Sequence, residues 1–201
     1  MACDLTLGRK EPCKDSVGGI KNIYFIDYGK LGTVSYDSTH TDVVDDFTGS
    51  EIGGTANSIT AYKYEVKGGS SLEQTVTSSR ETGTTFYDQT LNITLKKLSA
   101  SDNKELKLLA YGRPHIFVED YNGNVMAMGL EHGADVNGGT IVTGSAMSEL
   151  SGYTLTFNAQ EKVAANFLEI TVANTAVDYP FSVTDFPGLT GDIVVTEGTN
   201  S

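Results

Sequence analysis

The chain has 201 residues, which is enough for one large domain with a sizeable core, or for one domain with extended arms. Its 26 acidic against 14 basic residues give a net charge of −12, and such a surface repels phosphate, which argues against sequence-specific binding of nucleic acid. The first ten residues contain no apolar segment and no run of about 18 apolar residues occurs, so we expect neither a secretory signal nor a membrane span.

Residues 1–21 are predicted to form an N-terminal arm. They hold four basic residues against three acidic ones, a basic patch on an acidic protein, while Pro12 and Gly18-Gly19 disfavour regular structure. The alternative is a solvated, partly disordered leader. As an arm, the segment has a charge that suits an acidic neighbour. The candidate contact residues are Arg9, Lys10 and Lys14.

The only cysteines, Cys3 and Cys13, also lie in this segment. Two sulfurs cannot complete a zinc site, and their spacing is not that of a CxxC motif. Two reduced thiols, as in an intracellular product, and a Cys3–Cys13 bridge are both compatible with the sequence.

The first predicted strand, NIYFIDY at 22–28, is followed by a long polar segment. Residues 29–58 are acidic and contain many glycine, serine and threonine residues, so we expect an irregular loop. Loops of this length in a compact domain are usually functional or disordered, and in a homo-oligomer such a loop often lies over the next subunit. The candidate interface residues within it are Asp45, Asp46 and Phe47.

Alternating apolar and polar residues predict further strands after this loop. The runs 59–66 and 71–80 are separated by Gly68-Gly69, which predicts a β-hairpin. A longer alternating run follows Gly83 and predicts a strand with one buried and one polar face.

One segment, at about 100–111, has a strong helix signal. Ser99 and Asp102 have the spacing of a capping box, Leu106 begins a short apolar stripe, and Gly112 can end the helix.

The stretch HIFVEDYNGNVMAMGL, 115–130, predicts two strands joined by a tight turn. Asn122 and Gly123 both tolerate the positive φ of a type I′ turn, which is the usual connection of a two-residue hairpin. The remaining predicted strands are 139–146, 151–160, 166–173 and 191–198.

About ten strands and one helix predict a mainly β protein, an antiparallel β-sandwich or barrel with one flanking α-helix. We expect a single domain over 22–198, preceded by the arm and followed by a short tail at 199–201.

Known signatures of catalysis and metal binding are weak in this sequence. Asp120, Asn122, Asn124 and Glu131 have the spacing of calcium ligands, but Val125 stands where such a loop requires glycine, and the predicted hairpin explains the turn residues without a metal. The three histidines, His40, His115 and His132, are scattered, and no nucleophile elbow or P-loop is present. We therefore expect no enzyme activity, no cofactor and no metal.

Two longer stretches resemble a known family. GNVMAMGLEHGADVNGG and TGSAMSELSGYTLTFNAQEKVAANFLE are similar to virion structural proteins of tailed phages, notably those that infect Bacteroidetes, and the opening MACDLTLGRKEPCKDSVGGIKNIYFIDYG is similar too. The order of predicted elements resembles that of the phage tail tube family and its relatives in contractile tails and type VI secretion. The resemblance implies packed antiparallel sheets with a flanking helix, six copies in a ring, and stacked rings that form a conduit for DNA.

The resemblance further implies that the protein is located in the virion tail and made in the cytoplasm of a bacterial host. Its expected partners are copies of itself, other virion proteins, and DNA that passes without sequence-specific contact. Alternatives within the same class are a head–tail connector ring and a capsid-associated protein. An alternative from another class is a β-sandwich that binds carbohydrate or a receptor, although the absence of tryptophan counts against it.

Overall fold

A computed structural model describes residues 8, 9, 14–38, 42–47, 59–171, 173, 175, 176, 178–182, 184–187 and 193–198, together with the backbone of 51, 52, 55 and 56. Cys3, Lys10, Cys13, His40 and the predicted tail at 199–201 lie outside these residues.

The described part of the chain is mainly β and contains one helix, α1 (Ala100–Tyr111). Its strands are β1 (Ile20–Ile26), β2 (Val34–Tyr36), β3 (Val43–Phe47), β4 (Glu51–Ile52), β5 (Thr55–Ala56), β6 (Ile59–Glu65), β7 (Ser71–Ser79), β8 (Thr84–Lys96), β9 (His115–Asp120), β10 (Val125–Met128), β11 (Asp135–Val142), β12 (Gly152–Glu161), β13 (Asn166–Leu168) and β14 (Ile193–Glu197).

The strands form two principal sheets. The large sheet has the order β14-β6-β1-β9-β10-β13-β3-β2, and the small sheet has the order β11-β12-β8-β7. β4 and β5 form a separate two-stranded ribbon. Two sheets and one helix confirm the predicted fold class, a β-sandwich with a single flanking helix.

Both faces of the large sheet are covered. On one face, Ile23 and Phe25 of β1 pack with Ile116 and Val118 of β9 against Phe157 of the small sheet. On the opposite face, a second core includes the following residues: Tyr24, Ile26, Phe47, Phe117, Phe181 and Phe186. Burial on both faces explains why β1 is almost continuously apolar rather than alternating.

The helix begins and ends where the sequence predicts. The Ser99 side chain accepts a hydrogen bond from the Asp102 N–H at 3.0 Å, and the Gly112 N–H donates to the carbonyls of Leu108 and Leu109. Leu106 is the buried residue of the helix, so the predicted apolar stripe is narrow.

The predicted irregular loop at 29–58 was wrong in part. β2 and β3 lie within it and join the edge of the large sheet, where Val44 and Phe47 are fully buried. The short ribbon of β4 and β5 also falls in this range. These four strands account for the difference between the predicted ten and the observed fourteen in the described residues.

The hairpin predicted at Gly68-Gly69 was also wrong. β6 belongs to the large sheet and β7 to the small sheet, so this connection crosses from one layer to the other. β7 instead forms its hairpin with β8, through the turn at 80–83. In addition, β13 pairs with β3 and β14 pairs with β6 in parallel, so the large sheet is mixed rather than purely antiparallel.

Candidate assembly surface

The small sheet ends in two long strands whose outer edges pair with no other described strand. β7 has nine residues and β11 has eight, whereas the edge strands of the large sheet, β14 and β2, have five and three. Residues 75–78 of β7 and 137–141 of β11 are exposed. Such an edge presents unpaired N–H and C=O groups to other chains, and neither strand contains the lysine or proline that commonly protects an edge.

Each of these edges also carries an exposed aliphatic side chain on the core side of the sheet. Val76 lies four residues from Leu72, which packs between the sheets, so alternation puts both on the same face. Ile141 lies opposite Tyr153, a buried residue of the same face. Val76 is nevertheless 56% exposed and Ile141 64% exposed. If a strand of another copy paired with each edge, it would bury the Val76 and Ile141 side chains, which are exposed on the single chain.

The outer face of the small sheet is lined by hydroxyl and amide side chains. The hydroxyls of Thr140 and Thr154 lie 2.6 Å apart, and the Thr156 hydroxyl donates to Asn92 Oδ1 at 2.9 Å. These bonds join β11 to β12 and β12 to β8 across the face. The small sheet therefore has one packed face and one wet face, as its alternating sequence predicts.

The turn at Asn122 and Gly123 joins β9 and β10 as predicted, but it is not type I′. Gly123 has a φ of +87°, whereas Asn122 is not at positive φ. The Gly123 N–H donates to the Asp120 carbonyl at 3.3 Å, and the Asp120 N–H donates to the Asn124 carbonyl at 2.9 Å. This pattern is a three-residue loop with a bulge at the glycine, which needs no positive φ at the asparagine.

The Asn122 side chain instead holds the end of the predicted arm. Its Oδ1 accepts from the Val17 N–H at 2.9 Å, and its Nδ2 donates to the Val17 carbonyl at 2.8 Å. The neighbouring Tyr121 N–H donates to the Gly19 carbonyl at 3.3 Å. The hairpin turn therefore anchors residues 17–19 to the large sheet.

Replacing Asn122 by alanine is expected to release this anchor. Both hydrogen bonds to Val17 are lost, so local stability around Val17 should fall by about 1–2 kcal/mol, and the Val17 amide should exchange at least about fivefold faster in hydrogen-exchange measurements. Asn103→Ala, at an exposed position of the helix, is the control and should leave this amide unchanged. Equal exchange rates at Val17 in both variants would contradict the anchoring role.

The Asp120 carboxylate is fully engaged in the turn. It accepts hydrogen bonds from the backbone N–H and the side-chain amide of both Asn122 and Asn124, at 2.8 to 3.1 Å. Partial burial raises the pKa of Asp120, but the hydrogen bonds from the two asparagines outweigh it and lower the pKa below its ordinary value. The calcium-like spacing in the sequence is therefore accounted for by an asparagine-rich turn.

The basic candidates of the predicted arm are only partly described. Arg9 and Lys14 are both exposed, and Lys10 lies outside the described residues. Their exposure leaves them available for an acidic neighbour, which stays a prediction.

The candidate interface residues from the segment 29–58 all lie on β3, and Phe47 is not at the surface. Asp45 is exposed, whereas Asp46 is half-buried and accepts the Phe47 N–H at 2.8 Å. Phe47 is fully buried, with ring centroids 5.9 Å from Phe117 and 5.1 Å from Phe186. The prediction that Phe47 contacts another subunit was wrong, because β3 has a bulge between Val44 and Asp46 that lets both Val44 and Phe47 enter the same core.

A cavity of about 730 Å³ lies beside β1 and has a buried carboxylate in its lining. Glu119 accepts hydrogen bonds from Lys21 Nζ at 2.8 Å, Asn22 Nδ2 at 2.6 Å and the Tyr24 hydroxyl at 3.1 Å. Burial and the charge of Glu119 raise the pKa of Tyr24, and the same two causes raise the pKa of Tyr179 to about 12. The polar groups around Glu119 are hydrogen-bonded to it, so the network stabilises the fold.

No protein-family model matches this sequence, and neither a curated protein nor a solved structure matches it. Among the described residues, no helix is long and apolar enough to cross a membrane.

Proposed function

We propose that the chain is a structural subunit that associates with copies of itself, most specifically as a subunit of the tail tube of a tailed phage. The observation that carries this proposal is the pair of long edges on one sheet that lack lysine and proline, each with an exposed aliphatic residue. We infer that β7 of one copy pairs with β11 of the next. This contact is head-to-tail, and repetition of such a contact produces a ring or a filament.

The strand directions fit this contact. All three pairings within the small sheet are antiparallel, so β7 and β11 run in opposite directions. When copies follow one another in the same orientation, β7 meets the next β11 antiparallel, and the alternation of the sheet continues across the junction.

The packing of the layers fits a conduit. The large sheet covers one face of the small sheet, so a ring closed through the small sheets turns the wet face of threonine and asparagine inward. Six copies, the number that the resemblance to tail tubes implies, would give a barrel of about 24 strands, wider than the barrels of 16–18 strands that already enclose an aqueous channel. The outer face also carries the exposed Lys96, but most of its side chains are hydroxyls and amides and the protein as a whole is acidic, so the face offers DNA little cationic attraction.

Negative-stain electron microscopy of the purified protein at rising concentration tests the proposal. Stacked rings or tubes are the expected result. Closed rings that do not stack would favour a head–tail connector instead. Solitary subunits at every concentration would overturn the assembly proposal altogether.

A further inference from the structure

A mixed cluster of metal-ligating side chains lies away from the sheet edges described above. Glu131 and His132 are adjacent in the loop between β10 and β11, and Glu161 ends β12. One ligand atom from each of the three residues lies within 4.8 Å of the other two. The sequence gives no sign of this grouping, because 29 positions separate His132 from Glu161 and no motif has that spacing.

Glu161 is buried and oriented toward the other two residues. Its side chain is only 2% exposed. Its Oε1 accepts the N–H groups of Glu131 and His132 at 3.0 and 2.8 Å, which directs Oε2 to His132 Nδ1, 2.9 Å away. Carboxylates that ligate metals are held by such outer hydrogen bonds, which fix the direction of the coordinating oxygen.

None of the three side chains forms an ion pair with a lysine or arginine among the described residues, although Arg113 donates a hydrogen bond to the backbone carbonyl of His132. Among the described residues, the ion pair of Glu161 is with His132, which carries charge only when protonated. Glu131 is exposed, and its carboxylate makes no hydrogen bond or ion pair with the described residues. A buried carboxylate whose side-chain partner is neutral unless protonated can be stabilised by a bound cation.

The loop that presents Glu131 and His132 is tightly fixed. Gly129 and Gly133 both have positive φ, and the Gly133 N–H donates to the Gly129 carbonyl at 3.0 Å. A Cβ on Gly133 would lie 2.7 Å from the Arg113 carbonyl oxygen, so no other residue fits there. The two ligands are therefore presented on a rigid loop, which lowers the ordering cost of binding an ion.

We propose that Glu131, His132 and Glu161 form a binding site for a divalent transition-metal ion such as Zn²⁺. One imidazole nitrogen with two carboxylate oxygens suits zinc and its neighbours, whereas Ca²⁺ and Mg²⁺ prefer oxygen ligands alone. Tetrahedral zinc places its ligands about 3.3 Å apart, so small side-chain rotations bring the three donors into place. Water completes the coordination on the exposed side. This proposed metal site does not depend on the proposed association of copies.

Isothermal titration of Zn²⁺ into the metal-stripped full chain tests the site. Cys3→Ser and Cys13→Ser should be combined as the background, so that thiols contribute nothing to binding. We expect one ion per chain, and we expect His132→Ala and Glu131→Gln each to weaken binding by at least about tenfold. Glu105→Gln, at an exposed position of the helix, is the control and should leave the affinity unchanged. Co²⁺ in place of Zn²⁺ should give a visible spectrum without thiolate charge transfer.

Glu161→Gln separates ligand loss from fold loss. The glutamine carbonyl still accepts the two backbone N–H groups, so the circular dichroism spectrum should be preserved while zinc affinity falls by at least about tenfold. Unchanged affinity in His132→Ala and Glu131→Gln would overturn the proposal, as would a background protein that binds no zinc.

Discussion

Val76→Lys combined with Ile141→Lys is expected to leave the subunit folded and to abolish its assembly. Both side chains are exposed on the single chain, so the substitutions should change the folding stability of the monomer only slightly. In the proposed junction each apolar side chain buries its remaining exposed part and contributes about 1–2 kcal/mol, so together the substitutions should lower the association constant by at least about 30-fold. Sedimentation velocity and negative-stain images measure the loss, and circular dichroism checks the fold.

Val194→Lys is the matched control for this pair. Val194 is 49% exposed and lies on β14, the edge of the large sheet. The Val194→Lys protein should assemble as the unmodified protein does. Assembly that survives the double substitution, or fails equally with Val194→Lys, would remove the small-sheet edges from the proposal.

The single variants give a sharper test of the head-to-tail geometry. The Val76→Lys protein keeps an intact β11 edge, and the Ile141→Lys protein keeps an intact β7 edge. Neither should assemble alone, whereas an equal mixture should form dimers of one copy of each and stop there, since the only remaining edges are blocked. A contact that uses the same edge on both copies would not give this complementation.

Phe47→Ala is expected to destabilise the protein by about 3–5 kcal/mol, the usual cost of truncating a buried phenylalanine. The reason is that its ring fills the space between Phe117 and Phe186, and alanine leaves a cavity there. Urea unfolding followed by circular dichroism measures the change. Asp45→Ala, on the exposed side of the same strand, should change stability by less than about 0.5 kcal/mol.

This pair of variants separates a core role from an interface role. A Phe47→Ala protein of normal stability that fails to assemble would restore Phe47 as an interface residue. A stability loss of similar size in Asp45→Ala would mean that β3 as a whole, rather than the ring of Phe47, is sensitive to change.

The elements with strong local signals were predictable. The helix has a capping serine, the hairpin about Asn122 has a turn glycine, and the ten predicted strands have either alternating or continuous apolar runs. β2 and β3 lack such a signal, because the acidic and polar residues around Val44 and Phe47 conceal two buried side chains. Their burial depends on a neighbouring strand, β13, that lies more than a hundred residues away.

The site features were less predictable than the fold. Val76 and Ile141 look like ordinary strand residues, and only the strand order shows that both lie at open edges. The role of Glu161 could not be predicted either, because its burial and its approach to His132 arise from tertiary packing. The hairpin error at Gly68-Gly69 has the same origin, since two alternating runs with a glycine turn do not reveal that they belong to different layers.

The coverage of the large sheet on both faces bears on how copies would come together. Each chain completes its own interior, with Phe117 and Phe181 on one side and Phe25 and Phe157 on the other, before any partner arrives. In the proposed assembly the described strands would therefore dock as preformed surfaces, and little of the free energy of each junction would be offset by ordering them. Partners that need no conformational change also associate faster than partners that must first rearrange.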